Sequence, residues 1–127
     1  MPVGHVGDAE TLTRYAYEKS YFRADGTVKP KAFHPDAAGL CSVMVTTGLA
    51  NKAIQLIAAQ YVTPHRKGLK LLGYAGVSCS SVRGVGLDAR YDEPPPKHAN
   101  IFGYPDDREK MMERAMLLAA TATFQKL

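Results

Sequence analysis

Three consecutive prolines, Pro94, Pro95 and Pro96, limit what this chain can fold into more than any other feature. Each fixes its own φ and lacks an N–H, and each restricts the residue before it, so the segment is held as a stiff spacer. The prolines lie in a longer stretch, residues 73–104, that opens with glycines and hydroxyls. It then passes through Arg90, Asp92 and Glu93 and presents Lys97, His98 and Asn100 after the spacer. Polar chemistry and backbone constraint coincide here more than elsewhere in the chain.

The rest of the chain supplies a core. At 127 residues it has the size of one domain, and 46% hydrophobic against 22% charged residues is the balance of a folded one. There is no Trp, so the 7 Tyr and 4 Phe supply the large aromatic packing. Residues 1–8 are glycine-rich and expected to be flexible, leaving 9–127 as a single domain. Over residues 9–17, Leu12, Tyr15 and Ala16 fall on one side at helical spacing, with Asp8 as a cap. A strand over 11–17 also fits, and helix is the preferred reading. Residues 28–35, between Pro30 and Pro35, are extended, with Phe33 as an anchor. The run at 40–45 is a buried strand.

A helix is predicted over 48–61, capped by Thr46 or Thr47, with an apolar stripe of Ala50, Ile54, Ile57 and Tyr61. Short strands are expected at 69–74, 85–87 and 99–102, with 77–82 either strand or helix. Pro105, Asp106 and Asp107 start a last helix running to 124, with Met112, Ala115, Ala119 and Ala122 on its inner side. The fold class that results is α+β: about three helices packed on a short mixed or antiparallel sheet.

The net charge is +4, but its distribution is more informative. No Asp or Glu stands between Asp36 and Asp88, while Lys52, Arg66, Lys67, Lys70 and Arg83 do, with His65 beside them. These five cations are the candidate anion-binding residues, suited to phosphate, nucleic acid or an acidic protein face. Acids from the two ends folding back onto them would cancel that face.

Four constellations can carry chemistry. His34 and Asp36 with Asp92 and His98 combine imidazole and carboxylate, but neither HExxH nor CxxC is present, and no metal or cofactor is expected. Cys79, in a serine-rich run near Arg83, is a candidate thiolate; Cys41 reads as a core residue. Gly73, Gly76, Ser78, Ser80, Ser81, Arg83, Gly84 and Gly86 can cradle an anion, or the glycines simply make turns. Arg90, Asp92, Lys97 and His98, presented by the proline spacer, suit docking to a partner.

Several segments resemble a group of small, uncharacterised bacterial proteins. The matching residues are Arg14-Tyr15, the AF-x-P segment Ala32-Phe33-His34-Pro35, Ser42-Val43, Gly86-Leu87, and His98-Ala99-Asn100-Ile101 with Gly103-Tyr104-Pro105. The resemblance spans most of the chain from Arg14 and implies one compact domain; it brings no activity. Gly73-Tyr74-Ala75-Gly76 stands where that group has an Arg and an Asp after the glycine, and Tyr104 stands where it has Trp.

The leading functional expectation is a non-catalytic binding or accessory module. It contacts an anionic partner, nucleic acid or an acidic protein, and works within a larger bacterial assembly or as a homo-oligomer. The alternative is a small enzyme of nuclease or transferase type acting on a nucleotide or nucleic acid, with His34, Arg90, Glu93 and His98 in one cleft. A third reading is a structural component of a phage or mobile-element particle. No apolar run is long enough to span a bilayer and the opening residues lack the pattern of a signal peptide, so the expected setting is the cytoplasm, without membrane.

Overall fold

The computed structural model describes residues 4–127; the first three residues of the segment expected to be flexible lie outside the described residues. Six strands form one antiparallel sheet: β1 (Thr11–Ala16), β2 (Cys41–Val45), β3 (Gly73–Ser78), β4 (Asp88–Tyr91), β5 (His98–Phe102) and β6 (Thr123–Lys126). Their order across the sheet is β4-β5-β2-β1-β3-β6. Three helices, α1 (Asn51–Ile57), α2 (Cys79–Gly84) and α3 (Arg108–Thr121), cover it. The α+β reading stands, with a larger and wholly antiparallel sheet than the short one expected.

Alternation along the strands divides the interior in two. On one face Leu12, Val43, Val45, Ala75, Val77, Ala89, Ala99 and Ile101 meet α2, α3 and a 3-10 turn at Pro30–Phe33. Leu118, Ala115, Phe33 and Val82 are fully buried there. On the other face Tyr15, Tyr17, Met44 and Tyr74 pack under Ile54 and Ala58. This second face is covered by α1 and its continuation alone. A single short helix spans only the middle of a six-stranded sheet, so clefts remain on both of its flanks.

Several expectations change against this frame. Residues 11–16 are a strand, not a helix: Leu12 serves one core and Tyr15 the other, and burial on both sides blurs the alternation. The segment around Pro30 is a 3-10 turn rather than extended, although Phe33 is the fully buried anchor. Helix α1 has Ala50 at its N-cap, without a side-chain cap. Thr46 Oγ1 instead lies 2.7 Å from Thr13 Oγ1, and Thr47 Oγ1 accepts from the Thr11 N–H at 2.8 Å.

The strand expected at 69–74 starts only at Gly73, and 85–87 is the connection into β4. Gly73 has no room for a side chain: a Cβ there would stand 2.5 Å from Phe124 Cζ and 2.6 Å from the Gln125 carbonyl. The last helix stops at Thr121, and Thr123 to Lys126 add an edge strand beside β3. The Asp107 carboxylate caps α3, accepting from the N–H groups of Glu109 and Lys110. Gly4 to Val6 are tied down along β4: Val6 is fully buried, its N–H donates to Ala89 at 3.0 Å, and Tyr91 N–H donates to Gly4 at 2.9 Å.

Candidate functional site

The main cleft arises where two central strands part. β1 pairs with β3 along all six residues, but with β2 only at Leu12 with Val45 and Thr13 with Met44. Beyond that point the guanidinium of Arg14 bridges the gap from the main-core side. Its Nη1 donates to the Ser42 carbonyl at 2.9 Å, its Nε to the Ala32 carbonyl at 2.9 Å, and its Nη2 to the Tyr21 hydroxyl at 3.2 Å. Above the parting lies a cavity of about 370 Å³. Its floor is Thr13 to Tyr15 and Ser42 to Met44, its roof Gln60 to Val62 with His65 and Arg66, and its far wall Pro95 and His98.

The roof owes its shape to an irregular helix. After Ile57 the chain passes into a π turn over Ala58–Val62 and then a 3-10 turn over Thr63–His65. The Ile54 carbonyl, in α1 just before the π turn, accepts from the Ala58 N–H and also from the Tyr15 hydroxyl at 2.6 Å. Burial pushes the Tyr15 phenol well above its ordinary range, with Tyr17 and Tyr74 adding to the effect. Tyr15 is therefore a donor and not an acid. Arg66 follows the 3-10 turn and lies over the Tyr17 ring, 5.5 Å from its centroid. Among the described residues Arg66 has no carboxylate partner, and no Asp or Glu lines the cleft.

A second cavity of about 340 Å³ adjoins the first, shares Arg14, Ser42 and Arg66 with it, and is completed by Tyr21, Lys31, His34 and Asp36 among others. Burial holds the His34 imidazole below its ordinary value, with the charges of Arg108 and Lys31 acting in the same direction. Its Nε2 is buried without a partner among the described residues.

On the far wall, β2 and β5 are antiparallel with Ser42 opposite Asn100 and Met44 opposite His98. Ser42 and His98 are thus diagonal neighbours on one sheet face. Ser42 Oγ lies 2.6 Å from His98 Nε2, and His98 Nδ1 lies 2.7 Å from the Asp92 carbonyl oxygen. The Asp92 carboxylate accepts from Asn100 Nδ2 at 2.8 Å and stands 4.0 Å from His98 Nδ1. The proline block is the connection of the β4–β5 hairpin and not a spacer. It contains two cis peptides, Glu93–Pro94 and Pro94–Pro95, and the Lys97 N–H donates to Glu93 at 2.7 Å.

The five candidate cations do not form one face. Arg66, Lys67 and Lys70 share the connection from α1 to β3, whereas Lys52 stands at the opposite end of α1. Arg83 lies on α2, across the sheet. It pairs with Asp8 and, at 2.9 Å, with Asp88, and it also donates to the Val6 carbonyl. Arg83 is therefore satisfied internally, by acids from either side of the acid-free interval.

The four residues of the enzyme reading share no cleft. His98 lines the first cavity and His34 the second. Arg90 lies over the Phe102 ring, 5.3 Å from its centroid, and Glu93 is turned back on its own hairpin. Of the docking set, Arg90, Asp92 and His98 gather at the hairpin around Asn100. Cys79 is buried, its thiol donates to the Val6 carbonyl at 3.6 Å, and burial outweighs Arg83 to push its pKa up, so it is no ready thiolate. Ser78 caps α2 by accepting from the Ser81 N–H; Gly73 and Gly76 belong to β3, Ser80, Ser81 and Gly84 to α2, and Gly86 to the turn after it.

No group of three or more His, Cys, Asp or Glu among the described residues is placed to hold a metal ion. No described helix is long and apolar enough to cross a membrane. Compared with protein-family models, with curated proteins and with solved structures, the chain matches none.

Ser42 is the site residue that inspection of the sequence passes over. It belongs to the Ser-Val pair at the centre of an apolar strand. Only the register that sets β2 against β5 brings it to His98.

Proposed function

We propose that the chain is a binding module whose main cleft takes an anionic partner, a phosphate-bearing single strand of nucleic acid. One observation carries this reading: the cavity of about 370 Å³ is lined by Arg66, His65 and His98 and by no carboxylate among the described residues. Arg14 is engaged in three hydrogen bonds, so Arg66 is the side chain with donors to offer. A guanidinium with a free fork suits phosphate. Lys67 and Lys70 follow Arg66 in the same connection into β3, and that run of cations favours a polyanion over a lone carboxylate. The Tyr61 ring on the roof offers a surface on which a base can stack.

The test is fluorescence anisotropy with a labelled single-stranded oligonucleotide at low and moderate salt. Binding should weaken as salt rises. Arg66→Ala should raise Kd about tenfold or more, the scale of one charge-assisted hydrogen bond, while Lys52→Ala changes little. An Arg66→Ala protein that binds like the wild type, or a wild type that binds nothing at low salt, removes the reading.

A further inference from the structure

We propose that Ser42 is a nucleophile activated by His98, and that the cleft takes as substrate an ester carrying a negative charge. Only the charge of that substrate rests on the binding reading above; the chemistry rests on the Ser42–His98 geometry. The Asp92 carbonyl oxygen, 2.7 Å from His98 Nδ1, can only accept, so the ring proton resides on Nδ1. Nε2 then carries the lone pair, and it faces Ser42 Oγ at 2.6 Å, close enough to take the hydroxyl proton.

Nucleophile, base and a group that orients the base therefore stand in one line, with the Asp92 carboxylate 4.0 Å from Nδ1 to favour the imidazolium as it forms. Ser42 is exposed while the His98 side chain keeps only 17% of its surface, so the nucleophile can be reached and the base is shielded. Arg66 lines the same cleft and supplies it with positive charge, which favours an anionic substrate.

The reaction balances without any further reactant than water. Ser42 Oγ attacks the ester carbonyl carbon as its proton passes to His98 Nε2. The tetrahedral intermediate collapses, the bond to the alcohol oxygen breaks, and Nε2 returns the proton to that leaving oxygen. Water then attacks the acyl-serine, again giving a proton to Nε2, which returns it to Ser42 Oγ as the carboxylic acid departs.

The experiment treats the full chain with diisopropyl fluorophosphate, which is uncharged. The Oγ–P bond forms, the P–F bond breaks, fluoride leaves and the Ser42 proton goes to His98. Peptide mass mapping should place one adduct on Ser42, absent in Ser42→Ala. His98→Gln and His98→Asn, each shown by circular dichroism to be folded, should label about a hundredfold more slowly, as expected for loss of a general base.

A wild-type protein that stays unlabelled at Ser42, or folded His98 variants that label at the wild-type rate, overturn the proposal. A wild type that labels but binds no oligonucleotide loses the binding reading, and with it the substrate's charge, and leaves the Ser42–His98 chemistry standing. One that binds but does not label loses only this one.

Discussion

His34 and Ser42 show how differently single residues expose themselves in a sequence. His34 stands out beside Pro35, and its type invites a functional role. Its position in the fold makes it a half-buried ring whose pKa is lowered by burial and then by the charges of Arg108 and Lys31. Because folding lowers its pKa below the ordinary 6.5, the unfolded chain binds more protons in the window just below that value. Its effect is therefore complete above about 6.5 and is lost as pH falls from there toward the lower folded-state value. Urea denaturation between pH 7.5 and 5 should show wild type losing stability more steeply than His34→Gln. Parallel curves would mean that the ring is as solvated in the fold as out of it. Ser42, by contrast, is a small residue inside an apolar strand, and nothing local marks it. His98 and Asp92 were legible as polar residues near one another; their third partner lies 56 positions from His98 and appears only with strand register.

Among the elements, those with strong local signals were legible and those shaped by two-sided burial were not. Asp107 and Pro105 announce the start of α3, and the short apolar run of β2 announces a strand. β1 has Leu12, Tyr15 and Ala16 at helical spacing, yet it is the strand at the middle of the sheet, covered on both sides. The expected inner stripe of α3 holds at Ala115, Ala119 and Ala122 but not at Met112. Ala115, Leu118 and Ala119 are buried, while Met112 and Met116 are exposed, because the helix lies over the Pro30–Phe33 turn and brings Leu118 inward. Leu118→Ala should therefore cost about 2–5 kcal/mol in chemical denaturation, as large-to-small changes in a full core do. Met116→Ala should stay within about 0.5 kcal/mol, as surface changes do. Equal costs would mean that α3 presents a different side to the sheet.

At the scale of the whole molecule, a class of fold was accessible from alternating apolar runs and turn residues, but the sheet order was not. That order depends on long-range pairings such as Cys41 with Ile101, which no local pattern encodes. It has a dynamic consequence. β1 and β3 are each paired on both sides, whereas β6 is an exposed edge paired only with β3. Amide hydrogen exchange should be slowest in β1 and β3 and fastest, among the strands, in β6. A β6 as slow as β1 would contradict the pairing order. The parting between β1 and β2 ties the two sides of this sheet together mechanically. Arg14 lies with Ala32 and Tyr21 beneath the strands, yet it holds the carbonyl of the very residue whose hydroxyl faces His98 above. Repacking around Ala32 and Tyr21 would thus move Ser42 through its own backbone, so the cleft's geometry is set in part by contacts on the opposite side of the sheet.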